Sequence, residues 1–163
     1  MKLDHVRKAI AFGAHPDDVE VGAGGLVAKL TASGAHVTIV VSSIPNQYAV
    51  RRAEAMAAAS VLGAALVLPP GDETGSRVED VPTSALVARF ERELAAVEPD
   101  LVIVHGGHDS HHDHLAVHRA VLAAVRRTRC DILAYATRLP AGVSPPPPTC
   151  VVDISSVIDK KLA

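Results

Sequence analysis

Short runs of apolar, β-branched residues alternate along the chain with longer stretches in which apolar side chains recur every three or four positions. The first pattern predicts strands over residues 9–14, 36–42, 65–68, 101–105 and 132–135. The second predicts helices over 23–33, 49–62, 83–97 and about 113–127. Gly34 and Gly63 stop the first two helices, and Pro99 follows the third. Strands that alternate with helices in this way are the pattern of βαβ units around a mostly parallel sheet. None of the strands alternates strictly between polar and apolar residues, as expected where helices cover both faces.

The predicted fold class is therefore α/β, a Rossmann-like three-layer α/β/α sandwich. After the fifth strand, "LPAGVSPPPPTC" should be an extended connector, and "VVDISSVIDKKLA" reads as a short strand followed by a helix. In sheets of this class ligands bind beyond the carboxyl ends of the strands, near a switch in strand order. "HPDD", residues 15–18, follows the first strand, and a histidine-rich segment follows the fourth. Both fall at the expected ligand edge.

Composition narrows the functional classes. The chain has 163 residues, enough to bury a core without disulfides, and a net charge of −2 with a pI near 6.5. That balance offers no general attraction to nucleic acid or anionic lipid, so neither is expected as a partner. Cys130 and Cys150 are few for this length and suit a reduced, cytoplasmic protein. The opening residues lack a signal-peptide pattern, and no apolar run is long enough to cross a bilayer. Histidine is the unusual residue: nine in all, five of them between His105 and His114.

His15 and Asp18, with one histidine from "HDSHHDHLAVHRAV", would make three nitrogen and oxygen ligands for a catalytic metal with an open fourth position. Asp17, next to a ligand, would be placed to take a proton from a water at that position. Spacing alone leaves the roles of His105, His108, His112 and His118 undecided, since His111 and His114, and His114 and His118, could each share a helical face. Plainer readings stand beside these. "HPDD" can be a turn and helix cap, the histidine cluster a solvated loop, Arg51 and Arg52 solvated helix charges, and Asp72 a turn residue. A dinucleotide site, suggested by "GAGG", fails at Val27 and at Ser42 and Ser43, where a small residue and an acid are required.

"AHPDDVEVGAGG" together with "DSHHDHLAVHRAV" resembles the LmbE-like, or PIG-L, family of zinc-dependent N-deacetylases. "RRAEAMAAASVLGA", "LPPGDETGSRV" and "VVDISSVIDKKLA" resemble further family segments in the same order. The resemblance implies one domain over residues 1–163 that binds one zinc ion through His15, Asp18 and His114, with Asp17 as general base. His111 matches the histidine that protonates the leaving amine or stabilises the tetrahedral intermediate. Arg51 and Asp72 match substrate-contacting positions. The implied reaction removes an N-acetyl group from a small-molecule amino sugar conjugate of the N-acetylglucosaminyl type. Its alternatives are an amidase acting on a thiol conjugate or natural-product intermediate, and a non-catalytic zinc-binding remnant. His112 stands where the family has proline. Family members usually continue past the position of "KKLA", which suggests a shortened C-terminus whose open mouth a second copy, in a homo-oligomer, would complete.

Overall fold

The computed structural model describes residues 3–69, 77–137 and 147–163. Its elements run β1 (Lys8–Gly13), α1 (Asp18–Ala32), β2 (His36–Val41), α2 (Tyr48–Leu62), β3 (Ala65–Val67), α3 (Thr83–Val97), β4 (Leu101–His105), α4 (His112–Ala124), β5 (Asp131–Tyr135) and α5 (Ile158–Leu162). One-turn 3-10 helices lie at Val78–Asp80, Val125–Arg127 and Ser155–Val157. Every strand pair is parallel, in the order β3-β2-β1-β4-β5. The expected α/β class and mostly parallel sheet are thus present. Strand order reverses between β1 and β4, so their carboxyl ends, Gly13 and His105, frame a crevice at the switch.

Side chains that alternate along the buried strands feed two cores. Ala9 and Ala11 of β1, Val37 and Ile39 of β2, and Leu101 and Ile103 of β4 pack under Val19, Val27 and Leu30 of α1. Ile10 and Phe12 of β1, with Val102 and Val104 of β4, face α3 and α4 on the opposite side, where Phe12 meets Phe90 at a ring separation of 4.8 Å. Because both faces are buried, the central strands are largely apolar, with Lys8, His36 and His105 at their ends and Thr38 within β2. Among the described residues, no helix is long and apolar enough to cross a membrane.

Two elements differ from the sequence expectation. Helix α1 begins at Asp18 and not at residue 23, so the glycines of "VGAGG" lie inside it. Each glycine weakens a helix by about 1 kcal/mol relative to alanine. Tertiary packing offsets that loss: a Cβ on Gly22 would overlap the Tyr135 ring, and one on Gly25 would strike the Ile154 side chain. The expected strand within "VVDIS" is absent. Asp153 Oδ1 accepts from the amide and hydroxyl of Ser155, and this local turn leads into a 3-10 turn and α5, which pack on α1 and not along a sheet edge.

Gly22→Ala tests the close approach. Tyr135 cannot swing aside without losing its hydroxyl bond to the Phe12 carbonyl at 2.9 Å. Overpacking of about 1–3 kcal/mol should therefore exceed the gain in helix propensity. The urea midpoint is expected to fall with its slope unchanged, and a rise would contradict the packing account.

Candidate active site

The first strand ends in a turn that places four consecutive residues at the crevice. Asp17 caps α1 in the left-handed region, at φ 87°, a conformation that disfavours side chains and is retained mostly where the surroundings enforce it. Arg51, in the first turn of α2, enforces it: Nη2 donates to the Pro16 carbonyl at 2.9 Å and to Asp17 Oδ2 at 3.0 Å. The Asp17 side chain stays 66% exposed. Partial desolvation by the surrounding turn raises its carboxyl above the ordinary value, a tendency that Arg51 opposes and neighbouring Asp18 reinforces.

Asp18 turns inward and is buried. Its Oδ2 accepts the His15 amide at 2.8 Å, and its Oδ1 lies 3.2 Å from His114 Nε2. Burial alone would push this carboxyl up, but the His105 and His114 rings and the His15 amide hold it well below the usual carboxylate range. His114, on the first turn of α4, is pushed up to about 9: burial opposes its charge, and the paired carboxylates of Asp18 and Asp109 outweigh that opposition.

Ligand-type atoms of His15, Asp18 and His114 all lie within 4.8 Å of one another. Each imidazole has one nitrogen engaged by a carboxylate and the other turned inward. His15 Nε2 lies 2.9 Å from Asp113 Oδ2, which leaves Nδ1 3.6 Å from Asp18. His114 Nδ1 lies 2.8 Å from Asp109 Oδ2, which leaves Nε2 for Asp18. A carboxylate behind each histidine, fixing which nitrogen faces the centre, is how metal-ligating histidines are oriented. Four carboxylates, Asp17, Asp18, Asp109 and Asp113, collect around this point, and their charge favours a divalent cation. The donor set therefore fits a metal ion.

Asp109 and Asp113 escaped the sequence reading, although each lies within five residues of His114, and a carboxylate that near a candidate ligand is the signal that would have found them. Arg89 of α3 was also missed. It is buried, and its guanidinium donates to the carbonyls of Ser42 (3.0 Å) and Val41 (2.9 Å), tying down the loop that carries Pro45 and Asn46.

His111 caps α4: its Nδ1 accepts the Asp113 amide at 3.2 Å, so Nε2 carries the ring proton. The ring lines a cavity of about 490 Å³ with His15, Pro45, Asn46, Arg77, Glu79 and Asp113 among its walls. Arg51 is turned onto Asp17 and does not line this cavity. Asp72 lies outside the described residues. His108 and His112 are exposed, His118 binds the His105 carbonyl at 2.7 Å, and Glu20 sits half-buried with one carboxylate oxygen unpartnered. Cys130 and Cys150 are free thiols. Ser42 and Ser43 spend their hydroxyls on the Gly13 and Ala14 carbonyls, bracing the end of β1.

A parallel α/β sheet with a His/Asp group able to hold a metal at its topological switch defines the class. A family model described as "PIG-L: GlcNAc-PI de-N-acetylase" matches residues 10–125, and the chain belongs to that family, whose described reaction, de-N-acetylation, is hydrolysis of an amide bond. It is 33% identical over 140 residues to the uncharacterized deacetylase YaiS of Escherichia coli (strain K12), covering 80% of this chain and 75% of that one. Among solved structures, the conserved protein TT1542 from Thermus thermophilus superposes with a TM-score of 0.76 at 26% identity, over 94% of this chain and 74% of that one. GalB, the 4-carboxy-2-hydroxymuconate hydratase of Pseudomonas putida KT2440, does so with a TM-score of 0.71 at 26% identity, over 94% and 75%. The fold thus also carries a hydratase, so the reaction has to be argued from the site.

The His114 pairings give the metal-free protein a pH dependence. Its folded pKa of about 9 lies above the ordinary 6.5, so the stabilisation is complete below about pH 6.5 and is lost as pH rises through 9. Urea midpoints of metal-free protein should fall over that window with a slope of about one proton. His114→Gln should flatten the slope, and an equally steep fall in that variant would refute the assignment.

Proposed function

We propose that this protein is a zinc-dependent N-deacetylase of the cytoplasm, one domain over residues 1–163, that removes the acetyl group from an N-acetylated amino sugar conjugate of the N-acetylglucosaminyl type. The observation that carries this reading is the convergence of His15, Asp18 and His114 beside a strained Asp17, under a cavity that His111 lines. Membership in a family described by de-N-acetylation of an N-acetylglucosamine lipid supports the substrate class, and the polar walls of the cavity suit a hydroxyl-rich ring. The small number of cysteines supports the compartment.

One zinc ion per chain would be held by His15 Nδ1, Asp18 and His114 Nε2. Bound there, it supplies a Lewis acid for the amide carbonyl and lowers the pKa of water towards neutrality. Asp17, largely exposed and held by Arg51, takes the proton from the attacking water as the new carbon–oxygen bond forms. His111 presents Nε2–H to the tetrahedral centre. The carbon–nitrogen bond then breaks, acetate leaves, and the amine departs with the proton first taken from water. Arg51 acts in this reading through Asp17, and Asp72 remains a proposed substrate contact.

The test measures metal content together with amine release from a panel of N-acetylglucosamine conjugates. Wild type should carry about one zinc and turn over at least one member. Asp17→Asn should keep the metal and lose turnover by about 10²–10⁴-fold, and His15→Ala should lose both. Zinc without turnover on sugars, thiol conjugates or natural-product amides would mark a non-catalytic binder, and absence of zinc would overturn the site assignment.

A further inference from the structure

His105, the last residue of β4, is a fully buried histidine that the proposed reaction does not use. Its Nε2 accepts the Ala14 amide at 3.1 Å, one residue before His15. Its ring stacks on that of His114, with centroids 4.0 Å apart and planes 15° from parallel. Nε2 also lies 3.4 Å from Asp18 Oδ2 and 3.3 Å from the Tyr135 hydroxyl, so the same nitrogen faces the ion site as well as the turn. Tyr135 packs against the ring at 4.8 Å, and Nδ1 has no partner among the described residues. A buried nitrogen without a partner costs free energy that leucine or phenylalanine would not incur at the same place. Space filling alone therefore gives no reason for a histidine there.

We infer that His105 is a positioning residue for the ion site: one rigid ring holds the turn after β1 and the first turn of α4 in register, so that His15, Asp18 and His114 meet in a single geometry. The inference rests on the zinc site proposed above. Ala14 and His114 are a hundred residues apart in sequence, and the ring touches both segments. Preorganised ligands bind a metal more tightly than ligands that must be gathered.

The experiment is a zinc titration of metal-free protein against a chelating dye, with thermal melts of the same metal-free samples. His105→Gln keeps an acceptor and loses the flat stack, His105→Phe keeps the stack and loses the acceptor, and both roughly preserve volume so that folding is retained where His105→Ala would fail. Each should weaken zinc binding per folded chain, with the two losses together approaching the roughly 10- to 100-fold typical of residues that orient metal ligands. If both variants bind zinc within about twofold of wild type, whatever their melting temperatures, His105 is structural and the inference is overturned while the zinc site stands. If wild type itself binds no zinc, the site and the inference fall together.

Discussion

A carboxylate buried at the end of a strand has to be surrounded by donors if it is to remain ionised. Asp18 is that carboxylate, 7% exposed at the first position of α1. The His15 amide, the His114 ring and the N-terminal end of α1 all direct partial or full positive charge at it. These groups come from β1's exit, from α4 and from α1 itself. They can meet only because β1 and β4 are neighbours at the reversal of strand order. A negative charge that has gathered two imidazoles around itself in a half-buried cleft is already most of a cation site.

The fit of α1 against the rest of the molecule depends on its glycines. Gly22 allows Tyr135 to lie against the helix, and Tyr135 in turn holds the Phe12 carbonyl and backs the His105 ring. Gly25 does the same for Ile154 in the C-terminal segment. A helix weakened in isolation is thus strengthened by approach, and the approach supports the floor of the site.

Reactivity at such a centre needs one acid that is held firmly and another that stays accessible. Asp18 and Asp17 divide these duties through backbone conformation. Helical geometry turns Asp18 inward, whereas the left-handed turn at Asp17 leaves its side chain largely exposed under the guanidinium of Arg51. Arg89 serves the other wall of the cavity by anchoring the carbonyls at the end of β2. Neither arginine needs to touch a substrate to matter for it.

Much of this was legible along the chain. Apolar runs and helical periodicity located every strand of the sheet and placed α3 at residues 83–97. "HPDD" and the histidine segment could be assigned to one edge because parallel strands present all their carboxyl ends together. What could not be read were the pairings: Asp113 behind His15, Asp109 behind His114, Arg89 on Ser42 and His105 beneath both loops. The start of α1 at Asp18 was hidden for a related reason, since its glycines lower local helix propensity and only contacts with Tyr135 and Ile154 restore it. Hydrophobic periodicity is a local record of which side of an element is buried, so the sequence by itself determined the layers and the edge on which chemistry sits. The partner of each polar group is set by atoms that can lie more than a hundred residues away, and that choice belonged to the tertiary structure alone.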